Sequence, residues 1–325
     1  MPNTIGALAS GVAIPSERRA RTSISVAGIS FQNPIVLAAG TAAYGRELAG
    51  VIDLDALGGI VTKAVSIAPR AGAPSPRVAE FDGGMINAIG LANPGADAVR
   101  DEHLPWLASS LTRARTLVNV VGSLEDDFPA VIERLGEGAP YHALELNVSC
   151  PNVRAGGMEF GADPRALAAV VSRSRAVTRK PIFVKLSPTL ADIGLAARIA
   201  ADAGADGITV INTLPGLVID ISARRPALGF GSGGVSGPGL MPIGVLATWK
   251  VSRAVRLPII GVGGVTSTND ALQYIIAGAS LVAIGTAALR DPRLPELVVR
   301  DLERWCHVHD IASIADLVGT LEWPT

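Results

Sequence analysis

The sequence predicts one α/β domain over residues 1–325, in which eight strand–helix units close into a barrel. Three observations carry that prediction. Eight short runs rich in Val, Ile and Leu recur along the chain, separated by longer stretches with helical spacing of apolar residues. Most of these runs are continuously apolar rather than alternating, as parallel strands covered on both faces are. No composition shift marks a domain boundary, and the length falls in the usual range for such a barrel. A doubly wound sheet is the competing arrangement, but its first strand should lead into G-x-G-x-x-G, and Ala38-Ala-Gly-Thr-Ala-Ala-Tyr-Gly45 is not that pattern.

Taken in order, Thr22–Val26 and Ile29–Phe31 flank Ala27-Gly28 and predict a hairpin that plugs the N-terminal end of the barrel. The eight strands are predicted at Pro34–Ala39, Ile60–Ala64, Thr116–Val121, His142–Val148, Pro181–Leu186, Gly207–Ile211, Pro258–Val262 and Leu281–Ile284. Helices are predicted at Ala96–Leu111, Glu125–Leu135, Pro164–Val177, Ala191–Ala203, Pro242–Val255 and Asn269–Ala277. Asp163 before Pro164, and Ser267 or Thr268 before Asn269, are entry signals. The Pro/Gly-rich stretch Val65–Asn93 is an insertion after strand 2, long enough for a small subdomain over the active face. The whole is a (β/α)8 TIM barrel with a hairpin plug and that insertion.

Composition narrows the function. Hydrophobic residues are 49% and charged ones 18%, enough for a large core. Twenty-eight Lys and Arg against 29 Asp and Glu leave a net charge of -1, which disfavours a nucleic acid partner. Two cysteines, Cys150 and Cys306, suit a reducing cytosol. Met1–Arg21 does not read as a secretory signal, and the longest weakly polar run, Ala277–Leu289, is short of the roughly 20 residues of a membrane span. A cytoplasmic location follows as an expectation, with neither nucleic acid nor membrane as partner.

Polar residues interrupt the strands where a barrel keeps its chemistry, at the C-terminal ends. Lys63 ends strand 2, Asn119 lies in strand 3, Asn147 and Cys150 end strand 4, Lys185 ends strand 5, and Asn212 and Thr213 end strand 6. Two lysines at strand ends on one face argue for an anionic or electron-rich ligand; internal salt bridges are the alternative. Gly261-Val-Gly-Gly-Val265 and Ile284-Gly-Thr-Ala287 follow strands 7 and 8, where barrels hold phosphate. With no Walker sequence or carboxylate-rich metal motif, that phosphate suits a cofactor such as FMN. In Glu145-Leu-Asn-Val-Ser-Cys-Pro-Asn152, the amides of Asn147 and Asn152 suit a planar heterocycle. Cys150 has three open readings: proton acceptor, nucleophile, or small buried hydrophobe. Gly156-Gly157 reads equally as a lid hinge or a surface turn. His103 and His142 read as structural, the four tryptophans as packing or interface residues. Cys306, His307, His309 and Asp310 lack the spacing of a metal site.

Together these stretches resemble the dihydroorotate dehydrogenase family from about Ser23 to the C-terminus. The motifs are Ala38-Ala-Gly-Thr41, Gly58-Gly-Ile-Val-Thr-Lys63, Asn87-Ala-Ile-Gly-Leu-Ala-Asn93, Asn147-Val-Ser-Cys-Pro-Asn152, Val184-Lys-Leu-Ser-Pro188, Asn212-Thr213, Gly233-Gly-Val-Ser-Gly-Pro238, Gly263-Gly264 and Gly285-Thr286. A cysteine in the strand-4 loop looks like class 1. Ile211-Asn-Thr-Leu-Pro-Gly216, Asp220-Ile221 and Gly233–Pro238 look most like its B type. The resemblance implies a TIM barrel binding FMN and oxidising (S)-dihydroorotate to orotate in pyrimidine biosynthesis. It also implies a homodimer core and a second subunit carrying FAD and a [2Fe–2S] cluster that passes electrons to NAD+; the A type is a homodimer using fumarate.

By the same resemblance, Cys150 is the general base, with Lys63 beside it in the catalytic site. Lys63, Asn87, Gly90, Leu91, Asn147, Asn152, Asn212 and Thr213 contact substrate. Ala39, Gly40, Thr41, Lys63, Asn119, Asn147, Lys185, Ile211, Ser236, Gly237, Gly263, Gly264, Gly285 and Thr286 bind FMN, Lys185 near the ring's N1/O2 edge. Ala92, where B-type sequences often have glutamine, and Ala287-Ala288-Leu289 depart from the pattern. Other expectations left standing are another dihydropyrimidine as substrate, a Schiff-base barrel using Lys185, and a non-catalytic flavoprotein.

Overall fold

A computed structural model describes residues 21–149, 151–152 and 158–324. Cys150 and Gly156-Gly157 therefore lie outside the described residues. Eight parallel strands close into a barrel: β1 Ile35–Leu37, β2 Gly59–Val61, β3 Arg115–Val120, β4 Ala143–Asn147, β5 Ile182–Leu186, β6 Gly207–Val210, β7 Ile259–Val262 and β8 Leu281–Ile284. They pair in chain order, with β8 returning to β1. Six lie within a predicted run, and β2 and β3 each begin one residue before theirs, at Gly59 and Arg115.

The apolar runs are explained by alternation between two cores. Val36, Val61, Leu117, Ala143, Phe183, Ile260 and Leu281 point inward and pack together as a floor. Ile35, Ile60, Val118, Leu144, Leu146, Val184, Ile208, Val210, Val282 and Ile284 point outward against the helices. Both sets are essentially solvent-free, so apart from Arg115 and Thr116 at the start of β3 the strand faces show polar residues only where the inner one rises above the floor.

The plug is as predicted. Ile24–Val26 pairs antiparallel with Ile29–Phe31 across Ala27 and Gly28, whose φ values of +49° and +78° make a turn matched to the twist of a hairpin. Val26 and Phe31, 1% and 0% exposed, join the barrel floor and close it from below. Asp163 caps the helix Pro164–Ala176 by accepting from Arg165 N at 2.8 Å. Ser267 caps Thr268–Ala277 by accepting from Asp270 N at 3.2 Å.

Two departures have clear causes. The single helix expected over Ala96–Leu111 is divided into Ala96–Ala98, a π-turn at Val99–His103 and Leu104–Ser110. Pro105 has no N–H to continue the α ladder and sits at the start of the last segment. The insertion after β2 does not stand alone. Its strands Val78–Phe81 and Gly84–Asn87 share a four-stranded antiparallel sheet with Gly233–Ser236 and Leu214–Gly216, which arrive from a second insertion after β6. An isolated two-stranded ribbon is marginal in water, so the two insertions complete one another.

The remaining polar candidates are packed into the scaffold. His142 Nδ1 accepts from Thr116 N at 3.1 Å, and burial and the nearby Arg115 and Lys180 charges hold its pKa down. His103 stacks on Tyr44 at 4.2 Å. Cys306 is buried in the helix Leu294–Val308, His309 stacks on Trp305, and Trp249 stacks on Trp323 at 4.0 Å. No helix among the described residues is long and apolar enough to cross a membrane.

Candidate active site at the C-terminal mouth of the barrel

The inward positions above the floor are polar. On β3, Asn119 follows Leu117 by two residues; on β4, Glu145 and Asn147 follow Ala143; on β5, Lys185 follows Phe183. Lys63 lies two residues beyond Val61, and Thr209 lies between outward-facing Ile208 and Val210. The period of two therefore directs all six side chains into the barrel. Asn119, Glu145 and Thr209 are each 1% exposed, and Lys185 is 7% exposed.

Hydrogen bonds order this layer. Asn119 Nδ2 donates to Glu145 Oε1 at 2.7 Å, and Lys185 Nζ lies 3.9 Å from the same oxygen. One of the two lysines thus has an internal counter-ion. Lys63 has no ion pair among the described residues; its backbone N–H donates to Ala43 O at 2.8 Å and ties it to the loop after β1. Higher up, Asn212 Nδ2 donates to Asn147 Oδ1 at 3.2 Å, which joins β6 to β4 across the mouth. Asn212 Oδ1 in turn accepts from Thr213 N at 2.9 Å. Two buried polar atoms of the layer, Asn119 Oδ1 and Thr209 Oγ1, have no hydrogen-bond partner among the described residues.

The shared sheet brings in the residues from the insertions. Asn87 Nδ2 donates to Gly234 O at 3.2 Å, and Thr213 approaches Gly234 so closely that a Cβ there would lie 2.1 Å from Thr213 Oγ1. Only glycine at 234 lets Asn87 and Thr213 converge. Gly90 and Leu91 have φ of +67° and +56°, a left-handed pair held by Asn93, whose Nδ2 donates to Leu91 O at 2.8 Å. Asn152 lies in a two-residue strand paired with Met158–Glu159.

On the side of β7 and β8, Gly237, Gly263 and Gly264 have φ of +127°, +130° and +69°. A Cβ on Gly264 would fall 2.5 Å from Met241 N and 2.9 Å from Gly237 O, so the two loops meet backbone to backbone. Thr286 Oγ1 donates to Ser236 Oγ at 2.7 Å, and Thr41 Oγ1 lies near Gly285. The hydroxyl of fully buried Tyr274 donates to Gly263 O at 2.7 Å and fixes the turn from behind. Ile211, 2% exposed, packs beside Gly263. Ala39 and Gly40 (φ +82°) lie in the loop after β1 that ends at Thr41. Two open surface grooves, one bounded by Val51–Asp55, Trp106 and Glu296 and one by Asp192, Arg198, Trp249 and Arg253, share no residue with this constellation.

The profile of the family described as dihydroorotate dehydrogenase matches residues 21–305. The chain belongs to the dihydroorotate dehydrogenase family. It is 46% identical over 299 residues to the "Dihydroorotate dehydrogenase B (NAD(+)), catalytic subunit" of Pelobacter propionicus, covering 92% of this chain and 98% of that one. Proteins of the same name from Geobacter sp. (strain M21) and Desulforudis audaxviator are 43% and 45% identical, with 94% and 93% of this chain and 99% and 97% of the relatives covered. Dihydroorotate dehydrogenases are flavin-dependent oxidoreductases, and the residues present fit a flavin. The unpartnered Asn119 Oδ1 and Thr209 Oγ1 are what a heterocycle with polar edges would satisfy. The cluster of positive-φ glycines with Ser236 and Thr286 is what a phosphate would occupy.

Glu145 and Thr209 were not among the residues singled out from the sequence. Their signal was present: each is a polar residue at an inward position of an apolar strand.

Proposed function

We propose that this chain is the FMN-binding catalytic subunit of a cytoplasmic B-type dihydroorotate dehydrogenase, oxidising (S)-dihydroorotate to orotate in de novo pyrimidine biosynthesis. The observation that carries this reading is the convergence of Lys63, Asn119, Asn147, Lys185, Asn212 and Thr213 above one apolar floor, in a chain 46% identical to a dihydroorotate dehydrogenase B catalytic subunit. That name supports a second, electron-transfer subunit, which we assign FAD and a [2Fe–2S] cluster with NAD+ as final acceptor, around a homodimer of this chain.

The reaction removes a proton from C5 and a hydride from C6 of the substrate and leaves a C5=C6 double bond. When bound, FMN supplies the two-electron acceptor for that hydride. Asn119, Lys185, Thr41, Ile211 and the loop residues Ala39 and Gly40 would line the ring. Ser236, Gly237, Gly263, Gly264, Gly285 and Thr286 would hold ribityl and phosphate. Lys63, Asn87, Gly90, Leu91, Asn147, Asn152, Asn212 and Thr213 would orient the substrate. The cation of Lys63, free of any carboxylate among the described residues, suits the carboxylate of dihydroorotate. The Asn147–Asn212 bond fixes two amides as a pair, so the remaining donor and acceptor atoms meet a planar ring in one orientation.

Cys150 is assigned the role of base. A free thiol ionises at about 8.5, so kcat should rise with pH as the thiolate forms. Cys150→Ala should keep its flavin and lose about 10²–10⁴-fold in turnover; full activity in that variant removes Cys150 from the mechanism. The decisive experiment is anaerobic mixing of purified protein with dihydroorotate or dihydrouracil. Bleaching of the flavin by dihydroorotate alone, then reoxidation by NAD+ once the second subunit is added, is expected. Bleaching by dihydrouracil alone, or reoxidation by fumarate, would redirect the substrate or the type.

A further inference from the structure

Glu145 is a carboxylate in a barrel interior, 1% exposed, between Ala143 of the floor and Asn147 of the mouth. Its Oε1 makes two contacts. It accepts from Asn119 Nδ2 at 2.7 Å, which turns Asn119 Oδ1 away from Glu145 and leaves that buried oxygen an acceptor without a partner among the described residues. It also lies 3.9 Å from Nζ of Lys185, the lysine that is buried among the described residues. Neither contact is required to hold the strands together. Backbone pairing already sets Asn119 opposite Glu145 and Asn147 opposite Lys185. Buried ion pairs are, moreover, often exchanged for apolar side chains without loss of stability.

We propose that Glu145 is a positioning residue that orients the Asn119 acceptor toward the flavin and offsets the charge of Lys185, and so sets the reduction potential of the bound flavin. This rests on the flavin reading given above. Reduction places negative charge on the ring, and a cation in a water-poor site stabilises that form. A carboxylate beside the cation weakens the effect. Glu145 therefore holds the potential below the value that Lys185 alone would give.

The test uses the flavin-loaded protein. Glu145→Gln keeps the size and an acceptor oxygen for Asn119 but removes the charge. Equilibrated with a redox dye at fixed potential, its ratio of reduced to oxidised flavin should rise about tenfold, which is about 30 mV for a two-electron couple. Sulfite, which adds to electron-poor flavin, should bind correspondingly tighter. The double variant E145Q/K185M is charge-balanced again, and removing both partners of a buried pair is better tolerated than removing one. Its ratio should return to within about threefold of the unmodified protein. An unchanged ratio in E145Q overturns the proposal. If E145Q does not retain flavin, a double variant about tenfold away from the unmodified protein overturns it. Unmodified protein whose flavin dihydroorotate fails to bleach overturns the function proposed above instead.

Discussion

Replacing Gly264 by alanine tests the glycine cradle directly. Gly264 has φ +69°, where a Cβ costs about 1–2 kcal/mol. That Cβ would sit 2.5 Å from Met241 N and 2.9 Å from Gly237 O. Both neighbours are backbone atoms, so relief requires the loop after β7 and the turn before the helix Met241–Ala254 to move apart by most of an ångström. Overpacking of this kind costs about 1–3 kcal/mol, and the entropy alanine removes from the unfolded chain returns about 0.4–1 kcal/mol. The net loss is about 1–4.5 kcal/mol. Gly239, two residues past Gly237, is the control: it is exposed, its φ is not in the left-handed region, and nothing lies within 4 Å of a Cβ built on it. Gly239→Ala should be neutral or stabilising by up to about 1 kcal/mol. Urea unfolding of both apoproteins, paired with fluorescence titration of FMN, separates the cases. Gly264→Ala should lower the midpoint and weaken FMN binding at least tenfold, while Gly239→Ala should do neither. Equal behaviour of the two variants would refute the argument that close backbone approach shapes this cradle.

Two further outcomes follow from single sites. Burial raises the Asp55 pKa, but hydrogen bonds from Ala114 N, Arg113 N, Thr112 Oγ1 and the Arg113 guanidinium outweigh it and hold the carboxyl at about 2. Because the folded value lies below the unfolded one, its contribution is complete above about pH 5 and lost as pH falls toward 2. Asp55→Asn should therefore cost about 1–2 kcal/mol at pH 7, after allowance for partial exposure. That difference should vanish by about pH 2 in urea midpoints measured against pH. Thr209→Val replaces a buried hydroxyl that has no partner among the described residues by a methyl of the same shape. The apoprotein should be as stable or up to about 2 kcal/mol more stable, whereas FMN affinity should fall severalfold in equilibrium titration.

The order of strands, the plug and the positions of the polar residues were set by the sequence itself. They follow from periodicity and local stereochemistry, which act over a few residues: inward and outward apolar positions at a period of two, Ala27-Gly28 at the hairpin turn, Asp163 and Ser267 at helix starts. Tertiary structure decided what lies across space from what. The sheet over the mouth pairs residues 85–87 with 234–236, 147 to 151 positions apart, and no local pattern signals that Gly234 must be bare for Asn87 and Thr213 to meet. Glu145 is the sharpest case. In the linear chain it is one acid in an apolar run, and only closure of the barrel sets it between Asn119 and Lys185. Solvation accounts for the division: local propensity is felt in water by any segment, whereas the meaning of a charge depends on which neighbours replace its water once the fold has removed it.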